Sequence, residues 1–204
     1  MPPLTEANWQ AREHRVSASE VAALMPEGHP YMDARDVYDR LSGQGSPITV
    51  SDAMRLGTIL EPAILAAACD RWGWRVVTNK HTYLHRRAPL CATPDARLVG
   101  ERSLVEVKFS SNPTAWSNLP AHVWWQVQAQ MMCTHTSRVE VVVLAGGLRR
   151  FTVERNNKAA RRIGSACRDM LDMVADGTPP EHTIRDYSIL NTRRSDIPES
   201  IERA

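Results

Sequence analysis

The sequence predicts an α/β fold in which helices flank a mixed central β-sheet. Helical patterns come first, followed by several short strands, a helix, two strands and a final helix. Apolar residues recur at helical spacing over residues 53–72, which is typical of a helix packed on one face. Val105, Val107 and Phe109 alternate with a second set that contains Glu106 and Lys108, as on a strand with one apolar face.

The helices and strands follow from local signals along the chain. Ser17, with Glu20 three residues later, has the form of a capping box and predicts a helix start. The predicted helices are a short one opened by Thr5 and then residues 17–25, 34–41, 53–72, 121–134 and 157–176. The predicted strands are residues 75–78, 82–84, 90–98, 103–110, 138–144 and 149–154, the first two forming a hairpin. Pro62 implies that the helix over residues 53–72 either restarts or bends there.

Composition restricts the function classes. The chain has 204 residues, 43% of them hydrophobic, and a net charge of +2, so any nucleic-acid surface would be a local basic patch. The four cysteines are scattered without a C-x-x-C pair, so we expect core thiols, with no zinc site and no iron–sulfur cluster. The sequence shows neither a signal peptide nor an apolar run long enough for a bilayer, so we expect a cytoplasmic protein without a membrane partner.

Charged residues on the predicted central strand indicate chemistry. Glu106 and Lys108 lie two residues apart and therefore point to the same side of the strand. Asp95 stands upstream in a turn marked by Pro94. Burying charges is costly unless they are paired or bind a metal, and carboxylates are the ligands that suit Mg²⁺ or Mn²⁺. The pattern is therefore consistent with a metal site, although a surface Glu106–Lys108 pair in a structural domain is an alternative.

The helix over residues 121–134 contains a second polar candidate. Gln128 has large apolar residues one turn before and one turn after it, at positions 124–125 and 131–132, so we expect a buried amide that needs hydrogen-bond partners. A structural amide at a strand end is the alternative. Gln126, which shares its helical spacing with His122 and Gln130, is predicted to be more exposed. The histidines are interpreted as bystanders, namely those at positions 81, 85, 122 and 135.

Pro94-Asp95 followed by Glu106-Val107-Lys108 resembles the PD-(D/E)xK nuclease motif, which implies a restriction-endonuclease-like core. The segment over residues 56–64 resembles the G-x-x-x-E helix of the λ-exonuclease/YqaJ branch of these enzymes. In that branch the glutamate, here Glu61, contributes to the metal site. From local features alone, Glu61 would be a solvated helix residue.

Two further segments carry the same resemblance. Arg12, followed seven residues later by Ser19, is similar to a family segment that holds the 5′-phosphate of a DNA end, although His14 replaces its glycine. The family also carries a Q-x-Q on the helix that here contains Gln128, and one of its glutamines supports the metal and lysine site. Ala96 departs from the glycine that usually follows the P-D pair.

The resemblance implies a metal-dependent exonuclease that digests linear double-stranded DNA 5′→3′ in phage-type recombination and releases 5′-phosphomononucleotides. Its Mg²⁺, or Mn²⁺, would be held by Glu61, Asp95, Glu106 and the carbonyl of Val107. Lys108 would orient or deprotonate the attacking water, and Gln128 would hold Lys108 or a water. The implied partners are a single-strand annealing protein and, as in some relatives, further copies of the chain in a ring-shaped trimer.

The implied domain organisation is a single nuclease domain over residues 1–176 and a polar C-terminal tail over residues 177–204. The N-terminal helices over residues 5–44 would form the side that receives the DNA end. Two alternatives remain open: a PD-(D/E)xK endonuclease or repair nuclease, and a non-catalytic DNA-binding or assembly protein that keeps the fold.

Overall fold

The structure is a computed structural model that describes residues 10, 12–45, 50–79 and 81–183. The short helix predicted from Thr5 and residues 184–204 of the predicted tail lie outside the described residues. The helices are α1 (Ala34–Leu41), α2 (Asp52–Trp72), α3 (Ala121–Thr134) and α4 (Asn157–Asp176), with 3₁₀ helices at Ala18–Leu24 and Pro113–Trp116. The strands are β1 (Val16–Ser17), β2 (Val76–Thr78), β3 (Tyr83–Leu84), β4 (Leu90–Ala92), β5 (Ala96–Leu98), β6 (Ser103–Phe109), β7 (Arg138–Leu144) and β8 (Leu148–Glu154).

A five-stranded sheet in the order β2-β5-β6-β7-β8 forms the centre of the molecule. The β6–β7 pair is parallel and the other pairs are antiparallel, which confirms the predicted mixed sheet. A smaller sheet in the order β1-β4-β3 lies beside it, and its β1–β4 pair is parallel. Strand β6, which carries Glu106 and Lys108, is the middle strand of the large sheet.

The predicted hairpin of β2 and β3 is wrong, because the two strands belong to different sheets. Strand β2 pairs with β5, whereas β3 pairs with β4. The predicted strand over residues 90–98 is correspondingly split into β4 and β5 around Pro94. Proline has no backbone N–H to donate to a ladder, so the chain leaves one sheet and enters the other at this point.

Helices cover the two faces of the large sheet. On one face, α2 packs Ile64 and Leu65 against Val105 and Val107, which confirms the predicted apolar face of β6. On the other face, Leu104 of β6 joins a larger core cluster with residues of α3, α4, β7 and the first 3₁₀ helix. Because side chains alternate along a strand, Glu106 points to the same side as Leu104, towards α3.

Capping residues define where the helices begin and end. Gly73 ends α2 in the left-handed conformation at φ 66°, and α2 runs unbroken through Pro62. The side chain of Asn156 caps α4 by accepting hydrogen bonds from the backbone N–H groups of Lys158 and Ala159. Within the described part of the chain, none of the helices combines the length and apolar character that a bilayer crossing requires.

Candidate active site

The carboxylate of Glu106 is the centre of the candidate site. Its side chain is buried, and its Oε1 accepts hydrogen bonds from Gln126 Nε2 at 2.5 Å and from Lys108 Nζ at 2.7 Å. Its Oε2 accepts a hydrogen bond from Gln130 Nε2 at 2.6 Å. A carboxylate offers about four lone-pair sites, so three donors satisfy the buried charge and leave room for one further ligand.

Asp95 brings a second carboxylate to the same place. Its Oδ2 accepts a hydrogen bond of 2.7 Å from the backbone N–H of Val107, which ties the β4–β5 connection to β6. Burial, and then the neighbouring carboxylates of Glu106 and Glu61, hold the pKa of Asp95 well above its usual range, against the opposing effects of Lys108 and of the bond from Val107. Three carboxylates within electrostatic reach of one another are a donor set that fits a hard divalent cation.

Lys108 supplies the positive charge next to these carboxylates. Burial lowers its pKa, but the carboxylates of Glu106 and Asp95 outweigh that effect, so the pKa of Lys108 is raised from its ordinary value. The side chain is therefore an ammonium ion at neutral pH and donates to Glu106. In this state Lys108 is able to orient an oxygen ligand or a phosphate, whereas it has no lone pair with which to deprotonate water.

The structure contradicts the role predicted for Gln128. Gln128 is buried, as expected, but its Nε2 donates to the backbone carbonyl of Glu154 at 2.8 Å. Its Oε1 accepts from the backbone N–H of Asn156 at 2.8 Å. Gln128 therefore pairs with backbone groups at the end of β8 and just before α4. This is the structural role that the sequence left as the alternative, and Gln128 does not hold Lys108.

The amides that support the site are those of Gln126 and Gln130. Gln126 is half-buried and therefore more exposed than Gln128, as predicted, whereas Gln130 on the same side of α3 is only 1% exposed. Residues four apart on a helix lie on one face, and this spacing was the available signal that both amides meet the same partner.

Two histidines lie next to Lys108. The rings of His29 and His122 form an edge-to-face pair with centroids 5.2 Å apart, and His122 stands one helical turn before Gln126. Burial and the charge of Lys108 lower the pKa of His29 to about 4. Burial, His29 and Lys108 lower the pKa of His122 to about 3. Both imidazoles are therefore neutral at neutral pH, and His122 is part of the surroundings of the site.

The N-terminal segment forms a separate polar cluster. Arg12 Nη2 donates to Ser17 Oγ at 2.9 Å, and Ser17 Oγ lies 2.8 Å from Ser19 Oγ. The backbone N–H of Ser17 donates to Glu20 at 2.8 Å, which confirms the carboxylate half of the predicted capping box. The structure thus brings Arg12 and Ser19 to one hydroxyl, that of Ser17, which the sequence predicted only as a helix cap. A guanidinium with adjacent hydroxyls has the chemistry of a phosphate site.

A second group of possible metal-ligand atoms lies elsewhere in the described residues. Asp33, Asp36 and His182 place possible ligand atoms within 4.8 Å of one another. The Oδ1 atom of Asp33 accepts the backbone N–H groups that begin α1, and its Oδ2 contacts His182 and the backbone N–H of Thr183. This arrangement is a helix cap that attaches residues 182–183 to α1, so we assign it a structural role.

Comparison with known proteins adds a family and a fold. A model of the YqaJ-like viral recombinase domain family matches residues 8–137, which is more than half of the chain. A search of curated proteins found no significant match. The structure is similar to that of an alkaline exonuclease, LHK-Exo, from Laribacter hongkongensis, with a TM-score of 0.70 and 24% identity over 85% of this chain and 94% of that chain.

Two further structures agree with this comparison. The complex of LHK-Exo with dAMP gives a TM-score of 0.71 at 24% identity, with coverage of 85% of this chain and 94% of that chain. A phage-related exonuclease from Haemophilus somnus 129PT gives a TM-score of 0.63 at 11% identity, over 80% of this chain and 96% of that chain. At these identities the likeness establishes the fold, and it confirms the predicted restriction-endonuclease-like α/β architecture.

The crowding of carboxylates predicts an unusual stability effect. Asp95→Asn removes one of the mutually repelling charges, and its side-chain oxygen is still able to accept from Val107. We expect this variant to be more stable than the native protein in EDTA at pH 8, by about 1 kcal/mol or more. With saturating Mg²⁺ the gain should shrink or reverse, because the native chain then gains binding free energy.

Urea unfolding in EDTA and in Mg²⁺ measures this difference, and Asp70→Asn, an exposed position on the same molecule, is the control. A loss of stability for Asp95→Asn in EDTA would contradict the assignment of Asp95 to a cluster of repelling carboxylates.

The histidine pair predicts a loss of stability in mild acid. Because the pKa of His122 is lowered on folding, the unfolded chain takes up a proton first as the pH falls below 6.5. Between pH 7 and pH 5 this uptake should lower the free energy of unfolding by about 1–2 kcal/mol per histidine. His122→Gln should lose less stability over that interval, whereas exposed His81→Gln should behave as the native chain does. Equal pH dependence in all three proteins, measured by urea unfolding, would argue against a buried neutral His122.

Proposed function

The chain belongs to the family of YqaJ-like viral recombinase domains, and we propose on that premise that it is a metal-dependent DNA exonuclease. In this proposal it digests linear double-stranded DNA 5′→3′ and releases 5′-phosphomononucleotides. The observation that carries the proposal is the convergence of Glu61, Asp95, Glu106 and Lys108 around the end of β6. Such a set combines ligands for a divalent cation with one retained ammonium group.

Mg²⁺, with Mn²⁺ as a substitute, would be held by the carboxylates of Glu61, Asp95 and Glu106 and by the carbonyl of Val107. When bound, the metal would supply Lewis-acid polarisation of the phosphate and a more acidic water. The hydrogen bond from the backbone N–H of Val107 to Asp95 fixes the position of Asp95 relative to β6, which carries Glu106.

The other side chains of the site would orient the reactants. Lys108, as an ammonium ion, would contact the scissile phosphate or the attacking water and offset negative charge that develops in the transition state. Gln126 and Gln130 would hold Glu106 in a single orientation without neutralising it, because an amide donor carries no charge. The neutral state of His29 and His122 avoids additional positive charge beside a bound cation.

The Arg12–Ser17–Ser19 cluster would bind the 5′-phosphate of the DNA end, which gives the proposed polarity. Two observations support this assignment. The cluster has the donors that phosphate oxygens require, and β1, which contains Ser17, is paired with β4, which leads directly to Asp95. The alkaline exonuclease of Laribacter hongkongensis has been crystallised with dAMP, a ligand of the same chemical class as the proposed product.

The proposed biological setting is phage-type recombination in the cytoplasm of the host. The nuclease domain would comprise residues 1–176, with the segment over 5–44 on the side of the DNA end. A single-strand annealing protein is the proposed partner for the strand that digestion exposes, and a homotrimer is the proposed assembly. The polar segment 177–204 continues beyond Thr183, the last described residue.

A cleavage assay tests the proposal. We would incubate the protein with 5′-labelled linear duplex DNA and with closed circular DNA, in Mg²⁺ and in EDTA. We expect early release of labelled mononucleotide from the linear substrate in Mg²⁺ only. Lys108→Ala should reduce that rate by about 100-fold or more, because it removes the charge beside the phosphate. Lys158→Ala, on the exposed start of α4, is the matched control and should be unaffected.

The other outcomes distinguish the alternatives. Cutting of the circular substrate would favour an endonuclease. DNA binding without cleavage under any divalent metal would favour a non-catalytic binding protein. Release of the 5′ label only after most of the strand has been digested would reverse the proposed polarity.

Substitutions of the two glutamines of the Q-x-Q segment should have different effects on kcat and on stability. Gln126→Ala removes a donor from Glu106 and should lower kcat by about tenfold or more. Gln128→Ala should leave kcat per folded molecule within about twofold but reduce the free energy of unfolding by about 1–3 kcal/mol, because it removes a buried side chain and leaves two partly buried backbone groups without this partner. Active-site titration and urea unfolding of both variants provide these quantities. The reverse pattern would return Gln128 to the catalytic site.

A further inference from the structure

Arg40, on α1, reaches across to the N-terminal segment. Its Nε and Nη2 donate to the two carboxylate oxygens of Glu20 at 2.5 and 2.8 Å. Its Nη2 also donates to the backbone carbonyl of Arg15 at 2.8 Å, and its Nη1 donates to the backbone carbonyl of Arg12 at 3.3 Å. Four hydrogen bonds therefore connect one guanidinium to residues that lie 20 or more positions earlier in the chain.

These four contacts fix the segment that carries the phosphate cluster. Glu20 is buried, and its Oε2 also accepts the backbone N–H of Ser17. Arg40 thus holds the carboxylate of the capping box from one side while Ser17 holds it from the other. The same guanidinium anchors the backbone of Arg12, whose own side chain donates to Ser17.

The positive charge of Arg40 is balanced within this hydrogen-bond network. The bidentate pair with Glu20 neutralises it, and the arginine side chain is only 30% exposed. Arg40 therefore adds little positive potential to the surface where DNA would arrive. Its contribution lies in the geometry of the cluster, since a rigid fork that also satisfies two carbonyls restricts the backbone before any ligand binds.

We propose that Arg40 is a positioning residue for recognition of the DNA 5′-phosphate. It holds the backbone on which Arg12, Ser17 and Ser19 are mounted, so that their donors converge on one phosphate. This inference rests on the proposed function, in which that cluster binds the 5′ end. Arg40 itself acts through Glu20 and the two carbonyls and does not contact the DNA.

The test compares two linear duplexes that are identical except for a 5′-phosphate or a 5′-hydroxyl on the digested strand. The quantity measured is the ratio of kcat/KM for the two substrates. The native protein should prefer the phosphorylated end, and Arg12→Ala should abolish that preference. Arg40→Ala should reduce the ratio by about tenfold or more, because misplaced donors lose their specific contacts. The ratio comes from one preparation, so a smaller folded fraction does not change it.

Three further variants make the test specific. Arg40→Lys should restore no more than about a third of the native ratio, since an ammonium lacks the fork that holds Glu20 and two carbonyls together. Glu20→Gln weakens the pair from the other side and should lower the ratio in the same direction, which keeps the test available if Arg40→Ala does not fold. Arg35→Ala, which removes the Arg35–Asp39 pair on the same helix, should leave the ratio unchanged.

The outcomes distinguish the proposed recognition of the 5′ end from the role of Arg40. A native protein that digests DNA without preferring the 5′-phosphate would overturn the proposed end recognition, and the role of Arg40 with it. A native preference that survives in Arg40→Ala and Glu20→Gln would overturn the role of Arg40 and leave the proposed function intact. An equal loss on both substrates in Arg40→Ala would also overturn it, because a general DNA contact or a structural defect would have that effect.

Discussion

The site depends on how the buried carboxylate of Glu106 finds hydrogen-bond donors in the middle of a sheet. Glu106 is surrounded by three donors, and two of them are neutral amides from one face of α3. Arginines in those places would satisfy the same oxygens but would cancel the charge that a metal requires. The amides orient the carboxylate and leave its charge available. Because Glu106 alternates with Val105 and Val107, the strand register that forms the core also directs this carboxylate.

The other carboxylates of the candidate site come from both sides of the sheet. Glu61 is on α2, which packs on the face opposite to α3, and Asp95 lies in the connection between β4 and β5. The backbone bond from Val107 to Asp95 joins that connection to the central strand. Elements that build the two core clusters therefore also carry Glu61 and Glu106, and a hydrogen bond to the central strand fixes the carboxylate of Asp95. The repulsion among the carboxylates lowers the stability of the folded state, and the packing of the rest of the fold offsets that loss.

Local periodicity was sufficient to predict β6, α2, α3 and the pairing of charges on one strand face. It could not predict which strands pair, because β2 and β5 are joined by hydrogen bonds between residues far apart in sequence. Gln128 was assigned wrongly for a related reason. Eleven of the fourteen residues of α3 are buried, so an apolar neighbourhood does not reveal which face meets β6. Arg40 gave no signal, since all four of its hydrogen bonds are long-range.

The parallel pairing of β1 with β4 has a consequence for product length. Ser17 stands opposite Cys91 on the neighbouring strand, and at most about 13 Å of extended backbone separates Cys91 from Asp95, four residues further along. In the proposed function this pairing of strands keeps a constant distance between the cluster that binds the end of a DNA strand and the carboxylates where that strand is cut. The size of each fragment would then be a property of strand pairing and would not vary with base composition.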